Sequence, residues 1–416
     1  MAEILPFRSY RYTTLAGELD RLVTQPYDKI TPAMQSRYLA ASPYSYVRII
    51  LGPRQDGDTE ADNVYTRAAG HLRQWIGQGV LAQDPQPAFY PYFQEFTVPE
   101  TGEKVTRKAF IGLGPAVEYE AGIVYRHELT LTGPKEDRLA LLRHVRAHTG
   151  QLFLLYSDPE FAVDALLDEA AAGDPLADVT DEYGVAHRMW SIASPGRAAE
   201  ITRLMAGRKL LIADGHHRYE TALAFARENP GLPAARRVMM TLVNLHSPGL
   251  KILATHRLLH GRPGFDALAF AESARPYFRV SGPVPAGEAR ERLRSANPSI
   301  IRIGLAADGG NELWLFERGR GPGETDVGAL HSILLNRVLG ISEEDVREQR
   351  HIHYVRGLDA AVGEVRIGNA QAAFLLAPAS VEQVAEISFA GGVMPQKSTD
   401  FYPKLLDGLT ICLLDD

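Results

Sequence analysis

Between residues 207 and 245 the chain reads as a strand, a tight turn, a helix and a second strand. No other stretch constrains the fold as much. Lys209-Leu210-Leu211-Ile212-Ala213 is a short apolar run between Gly207-Arg208 and Asp214-Gly215-His216-His217, the pattern of a strand covered on both faces. From Arg218 to Glu228, Thr221, Ala222, Phe225 and Ala226 recur at helical spacing, and Asn229-Pro230-Gly231 stops the helix. Val238 to Leu245 is again short and apolar. Strand, loop, helix, strand is an α/β unit, so the expected fold class is α/β with mixed α+β parts.

The flanks extend this reading. Prolines 6, 26, 32, 43 and 53 keep the first 60 or so residues irregular, with one expected strand at Tyr46–Leu51. Val64, Ala68, Leu72, Trp75 and Ile76 predict an amphipathic helix over 62–78. Phe89–Val98 and Lys104–Leu113, joined by Pro99-Glu100-Thr101-Gly102, predict a hairpin. A helix is expected over 135–148, a strand over 151–156 and another helix over 158–172. Later, Ile300–Leu305 and Glu312–Phe316 flank Asp308-Gly309-Gly310 as a second hairpin. Helices are expected over 329–339, 359–365 and 381–389, with a strand over 370–376. Gly261–Gly264 reads as a boundary. The expected division is 1–115, 116–262 and 263–416.

Of the 416 residues, 45% are hydrophobic and 23% charged, which excludes a disordered chain. The net charge of −7 disfavours a broad polyanion-binding surface, so nucleic acid is an unexpected partner. With Cys412 as the single cysteine, neither an intramolecular disulfide nor a cysteine zinc cluster can form. There is no apolar run of membrane-spanning length and no signal-peptide pattern, so a cytoplasmic protein without a membrane partner is expected.

A Walker-type phosphate loop, a dinucleotide-binding glycine pattern after a strand, and a His-Glu-x-x-His zinc motif are all missing. The densest chemical signal is Asp214-Gly215-His216-His217-Arg218-Tyr219-Glu220. Gly215 permits a sharp turn. The amides that follow open a helix, where free N–H groups and the helix dipole attract anions. Arg218 adds a planar charged fork. Asp214, at a strand end, is placed to hold Mg²⁺ or a substrate hydroxyl or amine. The plainer alternative is Asp214 capping the helix beside two surface histidines. A second signal runs from Tyr125 to Arg138: Glu128 is a candidate base with His127 as neighbour, and Lys135 and Arg138 oppose the helix dipole in a way that suits an anion. The alternative is solvent-facing charge. A third, Met394 to Lys404, sets Lys397 and Ser398 in a loop suited to close over a phosphate, or else in a plain surface loop. A fourth is Gln25-Pro26-Tyr27-Asp28-Lys29-Ile30, with Asp28 between rigid and aromatic neighbours.

These segments, together with Ser42-Pro43-Tyr44-Ser45, resemble the domain of unknown function 1015 family. The resemblance rests on Pro26-Tyr27-Asp28, Ser42-Pro43-Tyr44-Ser45, His127-Glu128 with Gly133-Pro134-Lys135, Ala213 to Ala222, and Met394 to Lys404. Members are often described as similar to ParB proteins, and the Asp214–Arg218 loop is similar to the phosphate loop of the ParB/sulfiredoxin-like fold, which free L-serine kinases share. The resemblance implies a nucleotide-binding core of that fold over 116–262. It implies phosphate binding by Gly215, His216, His217 and Arg218, to which the residue patterns above add Lys135, Arg138, Lys397 and Ser398. It makes Asp214, with His217, part of the catalytic set and the Mg²⁺ ligand. Glu128 would be the base, with Asp28 as the alternative carboxylate. The implied activity is phosphoryl transfer from ATP or ADP to a small hydroxyl compound, first of all L-serine, in a possible homodimer. A ParB-like nucleotide switch without turnover is the other reading it allows.

Overall fold

The structure is a computed structural model. It describes residues 2–128, 132–295 and 297–415, and of residues 132–134 only the backbone. Leu129, Thr130 and Leu131 of the second sequence signal lie outside the described residues. The chain forms two compact units. One comprises Met1–Arg126, Thr130–Lys251 and Pro403–Asp416; the other comprises His127–Leu129 and Ile252–Tyr402.

The first unit is built on one mixed sheet of eight strands: β1 (Tyr90–Thr97), β2 (Lys104–Pro115), β3 (Val124–Tyr125), β4 (Leu152–Tyr156), β5 (Ala177–Thr180), β6 (Ala186–Met189), β7 (Leu210–Asp214) and β8 (Arg237–Asn244). Their spatial order is β3-β7-β4-β8-β2-β1-β6-β5. The expected hairpin is present, with Tyr90 opposite Ile111 and Thr97 opposite Lys104. β4 and β8 run parallel at the centre. Both are buried along almost their whole length, as their unbroken apolar sequences require. The expected division at 115 falls inside this sheet, because β2 pairs with β8 from Ala109 to Pro115. That contact spans more than a hundred residues of sequence, and a pass along the chain does not register it.

Three helices of this unit matter for the site: α1 (Val64–Gly77), α2 (Thr132–Val145) and α3 (His216–Glu228). α1 carries a capping box between Asn63 and Thr66 and buries Ala68, Leu72 and Trp75. Tyr46–Leu51, expected as a strand, is instead a single helical turn at Val47–Ile50. Tyr46, Ile49 and Ile50 pack with Leu72 and Trp75. A short apolar run satisfies a core equally well as one turn or as one strand, and periodicity does not separate the two.

The last residues of the chain belong to this first unit. Cys412–Leu413 pairs with Ala147–His148, and Asp407 exchanges backbone hydrogen bonds with Thr24. The buried Cys412 thiol agrees with a structural role. Ahead of it, the strap Pro403–Asp407 is gripped by the main sheet. Arg107, fully buried, donates from Nη2 to the Pro403 carbonyl at 2.6 Å and from Nε to Gln94 Oε1 at 3.0 Å. Gln94 Nε2 donates to the Lys404 carbonyl at 2.8 Å, and Gln151 Nε2 to that of Leu406 at 3.2 Å.

The second unit has a six-stranded sheet of β9 (Thr255–Leu259), β10 (Arg279–Pro285), β11 (Ile300–Ala306), β12 (Glu312–Gly319), β13 (Ile352–Arg356) and β14 (Ala372–Leu376), ordered β10-β12-β11-β14-β9-β13. The hairpin expected around Asp308-Gly309-Gly310 is β11–β12. The helix expected over 329–339 begins earlier, at Asp326, capped by Thr325, and becomes a π-helix over Leu330–Val338. The helix expected over 381–389 is observed at Val381–Phe389.

One glycine is dictated by close approach. A Cβ on Gly249 would sit 2.2 Å from the Thr106 carbonyl oxygen, which is backbone and cannot move aside cheaply. Gly249→Ala is expected to destabilise the chain by roughly 1–3 kcal/mol. The urea midpoint of the variant checks this, and an unchanged midpoint would show that the Thr106 backbone yields.

Candidate functional site

β7 ends at Asp214, and its register against β4 slips between Ile212 and Asp214, a bulge at the point where the strand gives way to the loop. Bulges re-aim the side chain that follows them. Gly215 comes next at φ +94°, a conformation open to glycine at little cost, and stands at the N-cap of α3. The helix starts at His216, two residues before the expected Arg218, and its first backbone bond runs from Tyr219 N–H to the Gly215 carbonyl at 3.0 Å. The N–H groups of His216, His217 and Arg218 therefore precede the helical ladder. The N-cap residue, Gly215, supplies no side-chain cap.

Asp214 sits among cations. Arg218 Nη2 lies 3.3 Å from its Oδ2, and Lys404 Nζ 3.6 Å from its Oδ1. Burial works against its ionisation, but Lys404, Arg218, Lys29 and His216 outweigh it and hold the carboxyl well below the usual range. Arg218 turns inward. Its Nη1 donates to the Gln151 carbonyl, and its guanidinium lies against Gly150 and Gly215, where a Cβ would come within 3.2 Å and 3.1 Å of it. Burial opposes the guanidinium charge, while Asp214, Asp407 and Asp28 support it. With two cations already on Asp214, its oxygens do not suit Mg²⁺. Among the described residues no three His, Cys, Asp or Glu side chains gather as a metal site.

Beside the loop is a cavity of about 50 Å³, lined by Tyr27, Arg138, Thr149, Gly150, Arg218 and Asp407 together with apolar residues of α2. Arg138 stacks 4.2 Å from the centre of the Tyr27 ring, donates to the Ile50 carbonyl at 2.7 Å and pairs with Asp137. It is a wall of the cavity, already engaged. Lys135 pairs with Glu220 on the side of α3, so the carboxylate of the loop's own helix takes its charge. His217 accepts a hydrogen bond at its carbonyl from Thr221 Oγ1 at 2.7 Å, and both loop histidines are half-buried.

The remaining expected site residues belong to the second unit. There His127 Nε2 meets Thr399 Oγ1 at 2.6 Å, and Glu128 bridges to Met394 beside the buried Arg257. Lys397 adopts φ +57°, and its carbonyl accepts from Arg257 Nη2 at 3.0 Å. Ser398 is buried and donates to the Pro395 carbonyl. The segment is thus part packed and part exposed: Met394, Ser398 and Asp400 are buried, while Lys397 is exposed.

Three residues at the loop were missing from the expected site. Lys29 and Lys404 stand in segments the sequence singled out, but nothing local says that they meet Asp214. Asp407 is a lone acid in Leu405-Leu406-Asp407-Gly408-Leu409, and that isolation is the only signal it gives. Its carboxyl is 2% exposed. Burial pushes it up to about 7; Arg218, the Gln151 N–H and Arg138 pull it down, and Asp28 adds to the rise. The folded chain thus keeps this proton to higher pH than the unfolded chain does. The stability that follows is full below the unfolded value of about 4 and is lost as pH rises through about 7. Asp407→Asn, neutral throughout, is expected to flatten this decline. Between about pH 5 and pH 8 the natural chain should lose roughly 1–3 kcal/mol more than the variant, read from urea midpoints. Equal losses would mean that Asp407 is ionised throughout in the folded chain.

Among known proteins, the family model described as protein of unknown function (DUF1015) matches residues 4–359. The chain belongs to that family. No curated protein matches the sequence. Among solved structures, the chain is similar to a conserved hypothetical protein from Pyrococcus furiosus, at 16% identity and TM-score 0.37, covering 70% of this chain and 93% of that one. It is similar to a free serine kinase variant in complex with AMP, at 14% identity and TM-score 0.37, covering 67% and 83%. It is also similar to SbnI with C-terminal truncation from Staphylococcus aureus, at 11% identity and TM-score 0.37, covering 73% and 87%. All three likenesses are distant, too slight to fix an activity. No helix among the described residues is long and apolar enough to cross a membrane.

Proposed function

We propose that this member of the DUF1015 family is a nucleotide-dependent phosphotransferase acting on a small hydroxyl compound, with free L-serine as the first candidate and O-phosphoserine as its product. The observation that carries the reading is the Asp214–Gly215 turn. A helix start with its first N–H groups outside the ladder is set beside Lys29, Lys404 and Arg218, an arrangement that suits phosphate oxygens. Phosphoryl transfer asks a protein mainly for positioning and charge neutralisation, so such a cradle is most of what the reaction requires. The acceptor oxygen forms its bond to phosphorus as the bond to the departing nucleotide oxygen breaks.

The hydroxyl proton needs a carboxylate. Asp28, on the short helical turn Tyr27–Lys29, stands in the field of Arg218 within the loop's own unit, and we give it the role that the family resemblance gives to Glu128. Asp214, held ionised between two cations, orders the cradle. ATP or ADP is the donor class. No step is routed through a metal on Asp214.

The decisive experiment incubates the full chain with ATP or ADP and each hydroxy amino acid, reading nucleotide products and the phosphorylated amino acid. O-phosphoserine from L-serine is the expected result, and absence of turnover with every hydroxy amino acid rejects the reading. Gly215→Ala forces a side chain into φ +94° and against Leu152 and Arg218. It should weaken AMP or ADP binding by about tenfold or more, which is about 1.4 kcal/mol. Asp28→Asn should lower kcat by about a hundredfold or more while nucleotide affinity holds. A kcat equal to that of the natural chain would remove Asp28 from the base role.

A further inference from the structure

Arg218 and Asp407 share the wall of one cavity, yet they do not pair. Arg218 forms its ion pair with Asp214. Its Nε, buried, is without a hydrogen-bond partner, and so is the buried Oδ1 of Asp407. Nε lies beside Gly215, where a Cβ would come 3.1 Å from it, whereas Arg218 Nη1 and Asp407 Oδ1 face Gly150, where a Cβ would lie 3.2 Å and 3.3 Å from them. The main chain holds the charges apart. Asp407 is fixed by its backbone bonds to Thr24, and Arg218 by the Gln151 carbonyl. On the Gly150 side, the unmet carboxylate oxygen of Asp407, desolvated, carries a cost that only a ligand or water removes. Water is a weak answer to two opposite charges in one small space. The complementary solute carries an anion and a cation a bond or two apart, and the cavity of about 50 Å³ has room for a few water-sized groups.

We propose that this cavity binds the head group of a small α-amino acid as its zwitterion, with the carboxylate on Arg218 Nη1, the guanidinium nitrogen on the Gly150 side, and the ammonium on Asp407 Oδ1. The proposal rests on the phosphotransferase reading and adds where and by which groups the acceptor is held. A cation alone would face Arg218 and Arg138, and an anion alone would face Asp407, so neither fragment suits the site by itself. The groups facing Asp407 are Arg218, Arg138, Asp28, the Gln151 N–H and the ring of Tyr46, which packs on Gly408. Of these, none is a cation in direct contact with Oδ1, and the incoming ammonium takes that place. Binding then draws the carboxyl proton off, so affinity for the amino acid should rise as pH climbs from about 6 to about 8.

Calorimetry of the full chain with L-serine, glycine, N-acetyl-L-serine and ethanolamine tests this. L-serine and glycine should bind. N-acetyl-L-serine, which lacks the ammonium, and ethanolamine, which lacks the carboxylate, should bind at least about thirtyfold more weakly. Asp407→Asn, checked for cooperative unfolding, should weaken L-serine by a similar factor. Equal binding of N-acetyl-L-serine and L-serine, undiminished L-serine binding by the variant, or no binding of any small amino acid would each overturn the proposal. Failures of the two readings separate cleanly. Serine turnover with an unaltered KM in Asp407→Asn sinks the cavity assignment and leaves the kinase. Serine binding lost in that variant, with no phosphoryl transfer by the natural chain, sinks the kinase and leaves the cavity.

Discussion

The candidate site exists because a buried guanidinium holds down a strap from the far end of the chain. Arg107 has no exposed surface, and burial pulls its pKa down to about 9. Such a group is tolerated only where its donors are used and its charge is balanced. Its Nη2 meets the Pro403 carbonyl, its Nε meets Gln94, and its guanidinium stacks 4.6 Å from the Phe153 ring centre. Gln94 completes the grip at Lys404. The side chains presented by the strap, Lys404 and Asp407, are those that surround Asp214 and the cavity. Without that anchor, Asp214 would lose Lys404, the first of the cations that hold it ionised, and Arg218 would have one fewer carboxylate supporting it.

The electrostatic character of the site follows from this arrangement. Two aspartates lie close to one arginine, yet their environments drive them apart: Asp214 among cations stays ionised, while Asp407, buried with an empty oxygen, titrates near neutrality. Pairs of carboxyls separated in this way are a frequent mark of working sites, because one group can hold charge while the other exchanges a proton or waits for a cation. Structural ion pairs elsewhere in the chain, such as Arg11–Asp84 or Arg302–Glu317, are satisfied and leave no such vacancy at either partner.

Much of the first unit was legible in the residues. The β1–β2 hairpin, the β7–loop–α3–β8 unit, α1 and the buried Cys412 follow from alternation, helical spacing and turn chemistry, all local properties. Tyr46–Leu51 misled because a short apolar run carries no period. The role sought for Glu128 shows a different limit. His127 and Glu128 sit only a few residues from Lys135 in sequence, yet they are threaded into the second unit, while Lys135 stays in the first and pairs with Glu220. Nearness along the chain said nothing about which core would claim each side.

By itself the sequence determined the strand, the left-handed glycine and the helix that follows, though not its first residue, since Leu210 to Ala213 must be buried and only glycine turns so sharply at 215 without strain. It also determined that Asp214 ends a strand and that neither an intramolecular disulfide nor a cysteine zinc cluster can form. Only the tertiary structure decided that Lys29, from the first tenth of the chain, and Lys404 and Asp407, from its last few residues, converge on that turn. The physical reason is that charge pairing acts through space. A lysine or an aspartate has the same local propensity wherever its partner will be, and the partner is chosen by the sheet order and by the buried hydrogen bonds that fix the strap.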